Sequence, residues 1–203
     1  KLPLDFNKNN ENFAIILTGG SECIGFFHKV SIPEILSDQL NKHFNTDIIK
    51  VYNLCMNSHT ISNEIQNVVH IGYHVNPSLI ISHTGWNDSK YFKFIPENFK
   101  KTGLIYNPSQ TNWYDKLYDI QEKTPREVTF KESDKEIFEN ALEQNIVKFI
   151  KIANSFSAEL LIGIQPYDET KKINKIDLTF LKAFEEKIES MKINKINFNN
   201  KKE

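Results

Sequence analysis

The sequence predicts an α/β domain in which helices cover both sides of a short parallel β-sheet, giving a three-layer α/β/α arrangement. Short continuous apolar runs alternate along the chain with segments whose apolar residues recur at helical spacing. Such runs are typical of strands buried on both faces, as the strands of a parallel sheet are. The length of 203 residues fits a single domain, and 39% hydrophobic residues can form a substantial core.

Four strands are predicted, each followed by a glycine or a polar residue. They cover 13–18, 48–52, 79–82 and 160–164. The predicted helices cover 32–44, 61–72, 133–150 and 178–191. Ser31 with Glu34, and Ser133 with Glu136, form capping-box patterns before the first and third of these helices. Because strands and helices alternate, the crossovers between parallel strands should be right-handed.

One long segment, residues 89–130, shows no clear periodicity and carries many aromatic side chains. A segment of this length inside a domain is typically a lid or a binding insertion, and one short helix is predicted near 113–120. Two interpretations stay open: with Trp86 the aromatic rings form a wall for a sugar, or they bury a small core of the lid. The ends, 1–12 and 192–203, are polar and are predicted to lie outside the core.

The composition excludes several classes of function. With 25 basic and 26 acidic residues the net charge is -1, which favours neither nucleic acid nor an anionic membrane as partner. No apolar run approaches the roughly 18 residues that a membrane-spanning helix needs. Two cysteines are too few for a disulfide-stapled scaffold. The partner is therefore expected to be a small molecule or a glycan, recognised at a local site.

The first predicted strand runs into Gly19-Gly20-Ser21, at the edge of the sheet where ligands of parallel α/β folds bind. Two glycines permit a tight turn, and a serine placed there exposes its hydroxyl beside backbone N–H groups. Ser21 is thus a candidate nucleophile, and the alternative is a plain strand-to-helix turn. A phosphate-binding loop is excluded, because Phe26 and Phe27 stand where Lys and Ser or Thr are required.

Two further polar clusters follow the second and third strands, namely Asn53-Leu54-Cys55 and Gly85-Trp86-Asn87-Asp88. Both should meet Ser21 at the same rim. In this order the three clusters resemble the motif blocks of the SGNH (GDSL-like) hydrolases, and Gly-x-Asn-Asp is the most specific of them. The resemblance covers about residues 13–90 and implies a three-layer α/β/α fold with flavodoxin-like topology.

The resemblance implies a role for each cluster in ester chemistry. Ser21 would be the nucleophile, and the oxyanion would be held by its backbone N–H, by the Asn87 side chain and by a backbone N–H of the second cluster. The family usually has Gly there, where this chain has Cys55, which can donate if the backbone does not demand glycine. For Asp88 we prefer a role as cap of the turn after the third strand over a role in catalysis. The possible rim or substrate-binding residues are Gly20, Asn53, Gly85, Trp86 and Asp88.

One part of the family pattern is absent from this sequence. The family places Asp-x-x-His near its C-terminus, with the histidine as general base for the serine. No such motif is present, and all 6 histidines precede residue 84. Because the chain opens on Lys1 and not on methionine, we expect the working chain to extend past Glu203 and to supply this block. The alternatives are a binding module without a base, or a substitute base, His83 or His28.

Cys23 and Cys55 should lie near the same rim, since the first two strands are expected to be neighbours. A disulfide or a metal pair is therefore geometrically possible. The preferred interpretation is nevertheless two small, semi-buried thiols. No metal site is predicted.

The implied function is hydrolysis of an oxygen ester of a small, acetyl-like acyl group through an acyl-Ser21 intermediate, without metal or organic cofactor. The aromatic insertion gives a weak preference for a carbohydrate ester. The alternatives are an O-acyltransferase that acts on a glycan, and the non-catalytic binding module. The oligomeric state stays open, and the cytoplasm is slightly favoured over an extracytoplasmic location. Abundant Asn and Lys, with Arg126 as the one arginine, suggest an AT-rich bacterial genome.

Overall fold

A computed structural model describes residues 12–24, 31–95, 100, 102, 103, 105, 131–165, 167 and 173–197. The strands are β1 (Phe13–Gly19), β2 (Ile49–Asn53), β3 (Leu79–Thr84), β4 (Glu159–Ile164) and β5 (Asn194–Asn197). The helices are α1 (Ser21–Ile24), α2 (Ile32–Phe44), α3 (Ile61–Val75), α4 (Trp86–Phe92), α5 (Glu132–Ser155) and α6 (Lys175–Ser190).

The five strands form one sheet in the order β2-β1-β3-β4-β5, and every neighbouring pair is parallel. This confirms the predicted fold class. The first crossover runs from β1 out to the edge strand β2, and the chain then returns past β1 to add the remaining strands in sequence. That change of direction makes β1 an interior strand, with neighbours on both sides, and all seven of its residues are buried.

Helices cover both faces of the sheet because side chains along each strand point alternately to the two sides. On one side, Phe13, Ile15 and Ile49 pack with Leu40 of α2. On the other side, Ile16 and Ile80 belong to the larger core, to which α3, α5 and α6 contribute their apolar faces. The result is three layers, as the alternating pattern predicts.

Local capping explains where several helices begin and end. Ser31 and Glu34 form the predicted capping box at the start of α2. Asn45 and Asn76 end α2 and α3 in the left-handed conformation that asparagine tolerates, with φ of 50° and 44°. These caps satisfy backbone groups that the helices cannot pair internally.

The structure corrects three of the predicted elements. Residues 194–197 form β5, where the sequence predicts a polar tail. The prediction is wrong because this edge strand has a polar pattern that resembles a tail. Helix α4 occupies 86–92, where an irregular segment is predicted from residue 89. Helix α5 begins before Ser133: the Asp134 carboxylate, and not Glu136, accepts the hydrogen bond from the N–H of the residue before the helix. The helix predicted near 113–120 lies outside the described residues.

The described part of the aromatic segment belongs to the main core. Phe92, Ile95 and Ile105 are buried in the larger cluster. Lys100 forms a buried ion pair with Asp134 at 3.0 Å, which ties this segment to α5. Phe94 of the same segment is 36% exposed, and most of the aromatic residues lie outside the described residues, so both interpretations of the segment stay predictions. Within the described ranges, no helix has the length and apolarity to cross a membrane.

Candidate functional site

Three of the polar clusters meet at the carboxyl edge of the sheet. The strand register pairs Leu17 with Asn53, and Gly19 with His83, so the segments that follow β1, β2 and β3 leave the sheet side by side. The N–H of Met56 donates to the carbonyl of Gly19 at 3.1 Å and joins the first segment to the second. The fold thus brings the three motif clusters together.

The first cluster depends on a close approach of two backbones at Gly19. A Cβ atom at this position would lie 2.6 Å from the carbonyl oxygen of His83 and 2.9 Å from Sγ of Cys23. Only glycine fits this contact between β1 and β3. After Gly20 the chain turns at once into α1, whose first residue is Ser21, half-buried at the sheet edge. Ser21 thus lies at the carboxyl edge of the sheet, and its role as nucleophile stays a prediction.

The two cysteines form a disulfide, which corrects the preferred interpretation as free thiols. Their Cα atoms are 5.9 Å apart, and both side chains are buried beside Leu17. The bond joins α1, which begins with Ser21, to the segment that follows β2. No free cysteine is present among the described residues. The predicted proximity of the two residues is confirmed, and their chemical state is not the predicted one.

The second cluster offers a different backbone donor from the one expected. The N–H of Cys55 donates to Oδ1 of Asn53 at 3.0 Å, so this N–H has no hydrogen left for a substrate oxygen. Asn53 itself is exposed, and its side-chain oxygen is occupied by this hydrogen bond from Cys55. Ser58, three residues after Cys55, has a φ of 62°, the left-handed conformation that favours glycine. Among the described residues, nothing accepts the hydrogen of the Ser58 N–H.

The third cluster is tied to the second by Asn87. Its side chain is buried, and Nδ2 donates to the carbonyl of His59 at 2.8 Å. An amide group carries two hydrogens, so one of them remains beyond this bond. Asn87 is therefore held beside the segment that follows β2, with donor capacity to spare.

Asp88 lies behind the rim and acts as a cap. Its carboxylate accepts from the Thr84 hydroxyl at 2.8 Å, from the Gly85 N–H at 3.3 Å and from the Ile61 N–H at 3.0 Å. The first two bonds close the turn after β3, and the third holds the start of α3. Asp88 is fully buried. Its hydrogen bonds are those of a cap, as the sequence predicts, and its possible rim role stays a prediction.

Sequence reasoning missed Glu64, a fully buried carboxyl group beneath this edge. Oε2 of Glu64 accepts from the Ser82 hydroxyl at 2.7 Å. Among the described residues, Oε1 of Glu64 and Oγ1 of Thr18 are buried without a partner. Burial raises the pKa of Glu64 to about 8, with a further rise from the nearby Asp88 charge, although the Ser82 bond opposes it. Burial also raises the pKa of Asp88, against the effect of its hydrogen bonds.

The sequence does contain a signal for Glu64. It lies three residues after Ile61 and four before Val68, which places it on the apolar face of α3. A carboxyl group on such a face is either paired or neutral in the folded protein.

Two histidines lie near the edge. His59 follows β2 and is buried, which lowers its pKa, and its Nδ1 is 3.4 Å from Nδ2 of Asn67. His83 ends β3 beside Gly19, and its Nδ1 is 3.2 Å from Nε2 of Gln165. No hydrogen bond links Ser21 to a histidine within the described part of the chain. His28 lies outside the described residues.

Trp86 and Gly85 complete the edge on the side of β4. Gly85 has a φ of 120°, and a Cβ atom there would lie 2.9 Å from the Phe184 ring, so the position requires glycine. The Trp86 N–H donates to Oε1 of Gln165 at 3.1 Å. Gln165 follows β4 directly and was not among the predicted site residues.

The comparisons with known proteins concern the fold. No family model and no curated protein matches the sequence. The psychrotrophic esterase EstA from Pseudoalteromonas sp., solved with monoethylphosphonate as inhibitor, is 11% identical, with a TM-score of 0.52 over 92% of this chain and 78% of that chain. The acetyl xylan esterase AlAXEase is 11% identical, with a TM-score of 0.54 over the same shares.

A G-D-S-L family lipolytic protein from Desulfitobacterium hafniense is similar to the same degree. It is 15% identical, with a TM-score of 0.53 over 92% of this chain and 78% of that chain. At these identities the likeness is one of backbone architecture. The five-stranded parallel sheet with helices on both faces is therefore the three-layer fold of the SGNH/GDSL esterases and lipases.

Proposed function

We propose that the protein is a serine ester hydrolase of the SGNH type, with Ser21 as nucleophile. The observation that carries the proposal is the meeting of the Ser21 and Asn87 segments at one sheet edge. Gly19 is bonded to the segment after β2, and Asn87 is bonded to the same segment through His59. The fold shared with several esterases supports the proposal.

In the proposed reaction, Oγ of Ser21 gives its proton to a general base and attacks the carbonyl carbon of the ester, and the carbonyl electron pair moves onto oxygen. Collapse of this tetrahedral species breaks the ester bond, and the base returns the proton to the leaving alcohol. Water then gives a proton to the base and attacks the acyl-Ser21 ester, and the acid is released as the proton returns to Oγ of Ser21. The oxyanion is stabilised in both steps by fixed N–H donors.

The proposed oxyanion donors are the Ser21 backbone N–H, the Asn87 side chain and a backbone N–H of the segment after β2. Within that segment the geometry favours Ser58 over Cys55, because the Cys55 N–H is already bonded to Asn53. The left-handed φ of Ser58 also matches the preference for glycine in this block. A general base supplied by an Asp-x-x-His block stays a prediction.

The proposed substrate is an ester of a small acyl group. The neighbour AlAXEase is an acetyl xylan esterase, and so acetylated xylan is one carbohydrate ester to test beside p-nitrophenyl acetate. Of the described aromatic residues, Phe92 is in the core and Phe94 is 36% exposed, and a sugar-binding wall stays a prediction. An O-acyltransferase differs only in using a glycan hydroxyl in place of water.

A fluorophosphonate probe tests the nucleophile, and the phosphonate bound to EstA supports this choice. We expect the natural full-length protein to be labelled at Ser21, and Ser21→Ala to lose both the label and ester hydrolysis. Ser133→Ala, at an exposed serine of α5, is the matched control and should be labelled normally. Equal labelling of the Ser21→Ala and natural proteins would exclude Ser21 as nucleophile.

A non-catalytic binding module is the second candidate function. It is favoured by one observation, the lack of a histidine bonded to Ser21 among the described residues. This candidate predicts no labelling of a folded, full-length protein but saturable binding of an acylated glycan in calorimetry.

A further inference from the structure

Gln165 connects the ends of β3, β4 and α4 through one side-chain amide. Its Oε1 accepts from the Trp86 N–H at 3.1 Å, and its Nε2 donates to the His83 carbonyl at 3.1 Å. Nε2 is also 3.2 Å from Nδ1 of His83. The side chain is buried, so these bonds are made away from bulk water, where an unmade bond is costly.

The orientation of the Gln165 amide is fixed by chemistry. A backbone N–H can only donate, so the atom facing Trp86 must be the amide oxygen. A backbone carbonyl can only accept, so the atom facing the His83 carbonyl must be the amide nitrogen. Both requirements give the same orientation, and the exchange of oxygen and nitrogen that often complicates glutamine side chains is excluded here.

This orientation decides the protonation of His83. Nε2 of Gln165 is 3.2 Å from Nδ1 of His83 and can only donate, so a hydrogen bond between these two atoms requires Nδ1 to accept. A neutral imidazole that accepts at Nδ1 carries its proton on Nε2. In this state neither ring nitrogen has a lone pair free to take a proton from Ser21, so His83 is not the substitute base.

The same amide replaces a missing helix cap. The first N–H groups of a helix lack partners within the helix, and a side chain at the N-cap usually satisfies one of them. Helix α4 has Gly85 at this position, which has no side chain. Gln165 reaches over from β4 and accepts from the first N–H of the helix, one residue before Asn87.

We propose that Gln165 is a positioning residue of the active edge, which fixes the Trp86 N–H and thereby Asn87, and which holds His83 as the tautomer protonated on Nε2. The kinetic part of this inference rests on the proposed function. The spectroscopic part concerns His83 alone and does not require hydrolysis.

Two substitutions separate the contacts of Gln165. Gln165→Leu keeps the approximate size and removes all the hydrogen bonds. Gln165→Glu keeps an acceptor for the Trp86 N–H but replaces the donor that faces His83 by a second acceptor. Gln66→Leu, at an exposed glutamine of α3, is the matched control. Thermal unfolding verifies that each variant is folded before it is measured.

Steady-state hydrolysis of p-nitrophenyl acetate by the full-length protein gives the first readout. We expect Gln165→Leu to lower kcat about tenfold with KM within about twofold, because a displaced donor weakens the transition state more than substrate binding. Gln165→Glu should keep more of kcat than Gln165→Leu. The control should match the natural protein.

Imidazole ¹⁵N NMR of His83 gives the second readout. We expect Nε2 to be the protonated nitrogen in the natural protein and Nδ1 in Gln165→Glu, where the carboxylate accepts. A natural protein protonated on Nδ1 would overturn the assignment of His83. Unchanged kcat in folded Gln165→Leu, with fluorophosphonate labelling of Ser21 intact, would overturn the positioning of Asn87 while leaving the proposed function standing.

Failure of the proposed function gives a different result. The natural protein would then show neither labelling nor hydrolysis, and the NMR readouts would decide the role of Gln165. A shift of the Trp86 backbone and Asn87 side-chain amide signals in Gln165→Leu, but not in Gln66→Leu, supports the positioning role. Signals identical to those of the natural protein contradict it.

Discussion

Glu64 lies on α3 with its carboxyl group buried between Ser82 and the neighbouring Asp88. Asp88 accepts three hydrogen bonds, which favour its charged form, whereas Glu64 is bonded to Ser82 and retains one oxygen without a partner among the described residues. Two buried negative charges repel each other. Glu64 is therefore the member of the pair that holds a proton in the folded protein.

Replacing Glu64 with glutamine should change how stability depends on pH. The pKa rises from 4.5 in the unfolded chain to about 8 in the fold, so between these values the folded state holds the extra proton. Stability therefore falls as pH rises through this window. Glu64→Gln should remove this loss, which amounts to roughly 5 kcal/mol at its full extent. Urea unfolding at pH 5 and pH 8.5 measures the effect.

The matched control for this experiment is Glu136→Gln, at an exposed position of α5. It should leave the pH dependence of the natural protein in place. If Glu64→Gln shows the same loss of stability towards high pH as the natural protein, Glu64 is ionised in the fold and our assignment of the proton is incorrect.

Asn87 is the side chain whose loss should affect the proposed reaction most directly after Ser21. Asn87→Ala removes a donor to the oxyanion, and removal of one such donor typically lowers kcat about 10²-fold to 10³-fold. It also removes the bond to the His59 carbonyl, at a cost of about 1 kcal/mol in stability. Hydrolysis of p-nitrophenyl acetate and urea unfolding measure the two effects separately.

Asn67→Ala is the control for Asn87, since Asn67 also contacts His59 but lies on α3. It should retain kcat. A kcat in Asn87→Ala equal to that of Asn67→Ala would remove Asn87 from the proposed oxyanion site.

At the residue scale, the sequence predicts candidate site residues where they belong to a recognisable motif. The Gly-Gly-Ser and Gly-x-Asn-Asp clusters predict Ser21 and Asn87 as candidate site residues from the sequence alone. Ser58 could not be predicted in this way. Serine rarely adopts the left-handed backbone conformation, so nothing in the sequence indicates it at this position. Gln165 was not predicted either, since its role depends on partners in β3 and α4, namely His83 and Trp86.

At the scale of elements, the Cys23–Cys55 disulfide fixes the short helix α1 against the segment that follows β2. Helix α1 has only four residues, too few to be stable on its own backbone hydrogen bonds. The bond closes a sequence separation of 32 residues, which spans α1, α2 and β2. The position of Ser21 relative to the second cluster should therefore depend on this cross-link.

Replacing both cysteines with alanine should lower the free energy of unfolding by about 3 kcal/mol, because the unfolded chain loses a constraint. Urea unfolding measures this loss. A thiol reductant provides the control: it should destabilise the natural protein by a similar amount and leave Cys23→Ala/Cys55→Ala unchanged. Equal stability of the natural and double-variant proteins without reductant would show that the bond does not stabilise the fold.

The sequence predicted elements with strong periodicity well and the weak ones poorly. A local sequence pattern is enough to predict several elements. Examples are the apolar runs of β1, β3 and β4 and the capping box of α2. The strand β5 reads Asn-Lys-Ile-Asn and gains its structure from pairing with β4, which a local pattern cannot show. Helix α4 was missed because its cap is supplied from outside the segment.

At the scale of the whole molecule, β1 supports both faces of the sheet. Its residue Ile16 is fully buried in the larger core, and Phe13 and Ile15 pack with α2 on the opposite face. The same strand delivers Gly19 and Ser21 to the edge. Global stability and the placement of the candidate nucleophile therefore depend on one strand.

Ile16→Ala should lower the free energy of unfolding by about 2–5 kcal/mol, since it leaves a cavity in the centre of the core. Ile32→Ala, at a residue that is 43% exposed in the first turn of α2, should cost less than about 1 kcal/mol. Urea unfolding with a constant slope checks both variants. A loss of comparable size in the two variants would contradict the central position of β1.

The topology was predictable because few arrangements satisfy alternating strands and helices with right-handed crossovers. What the sequence could not show is which polar groups end up buried together. Glu64, Asp88 and Ser82 come from three elements, and their contact exists only after the sheet has formed.

The disulfide also has a consequence for where the protein can work. Such bonds form and persist in oxidising surroundings, and thiol-reducing systems of the cytosol oppose them. A chain whose candidate nucleophile is anchored by Cys23 and Cys55 is expected to mature after export, against the slight preference for the cytoplasm. Without this bond α1 would be held less firmly, and we expect the proposed ester hydrolysis to begin only once the bond has formed.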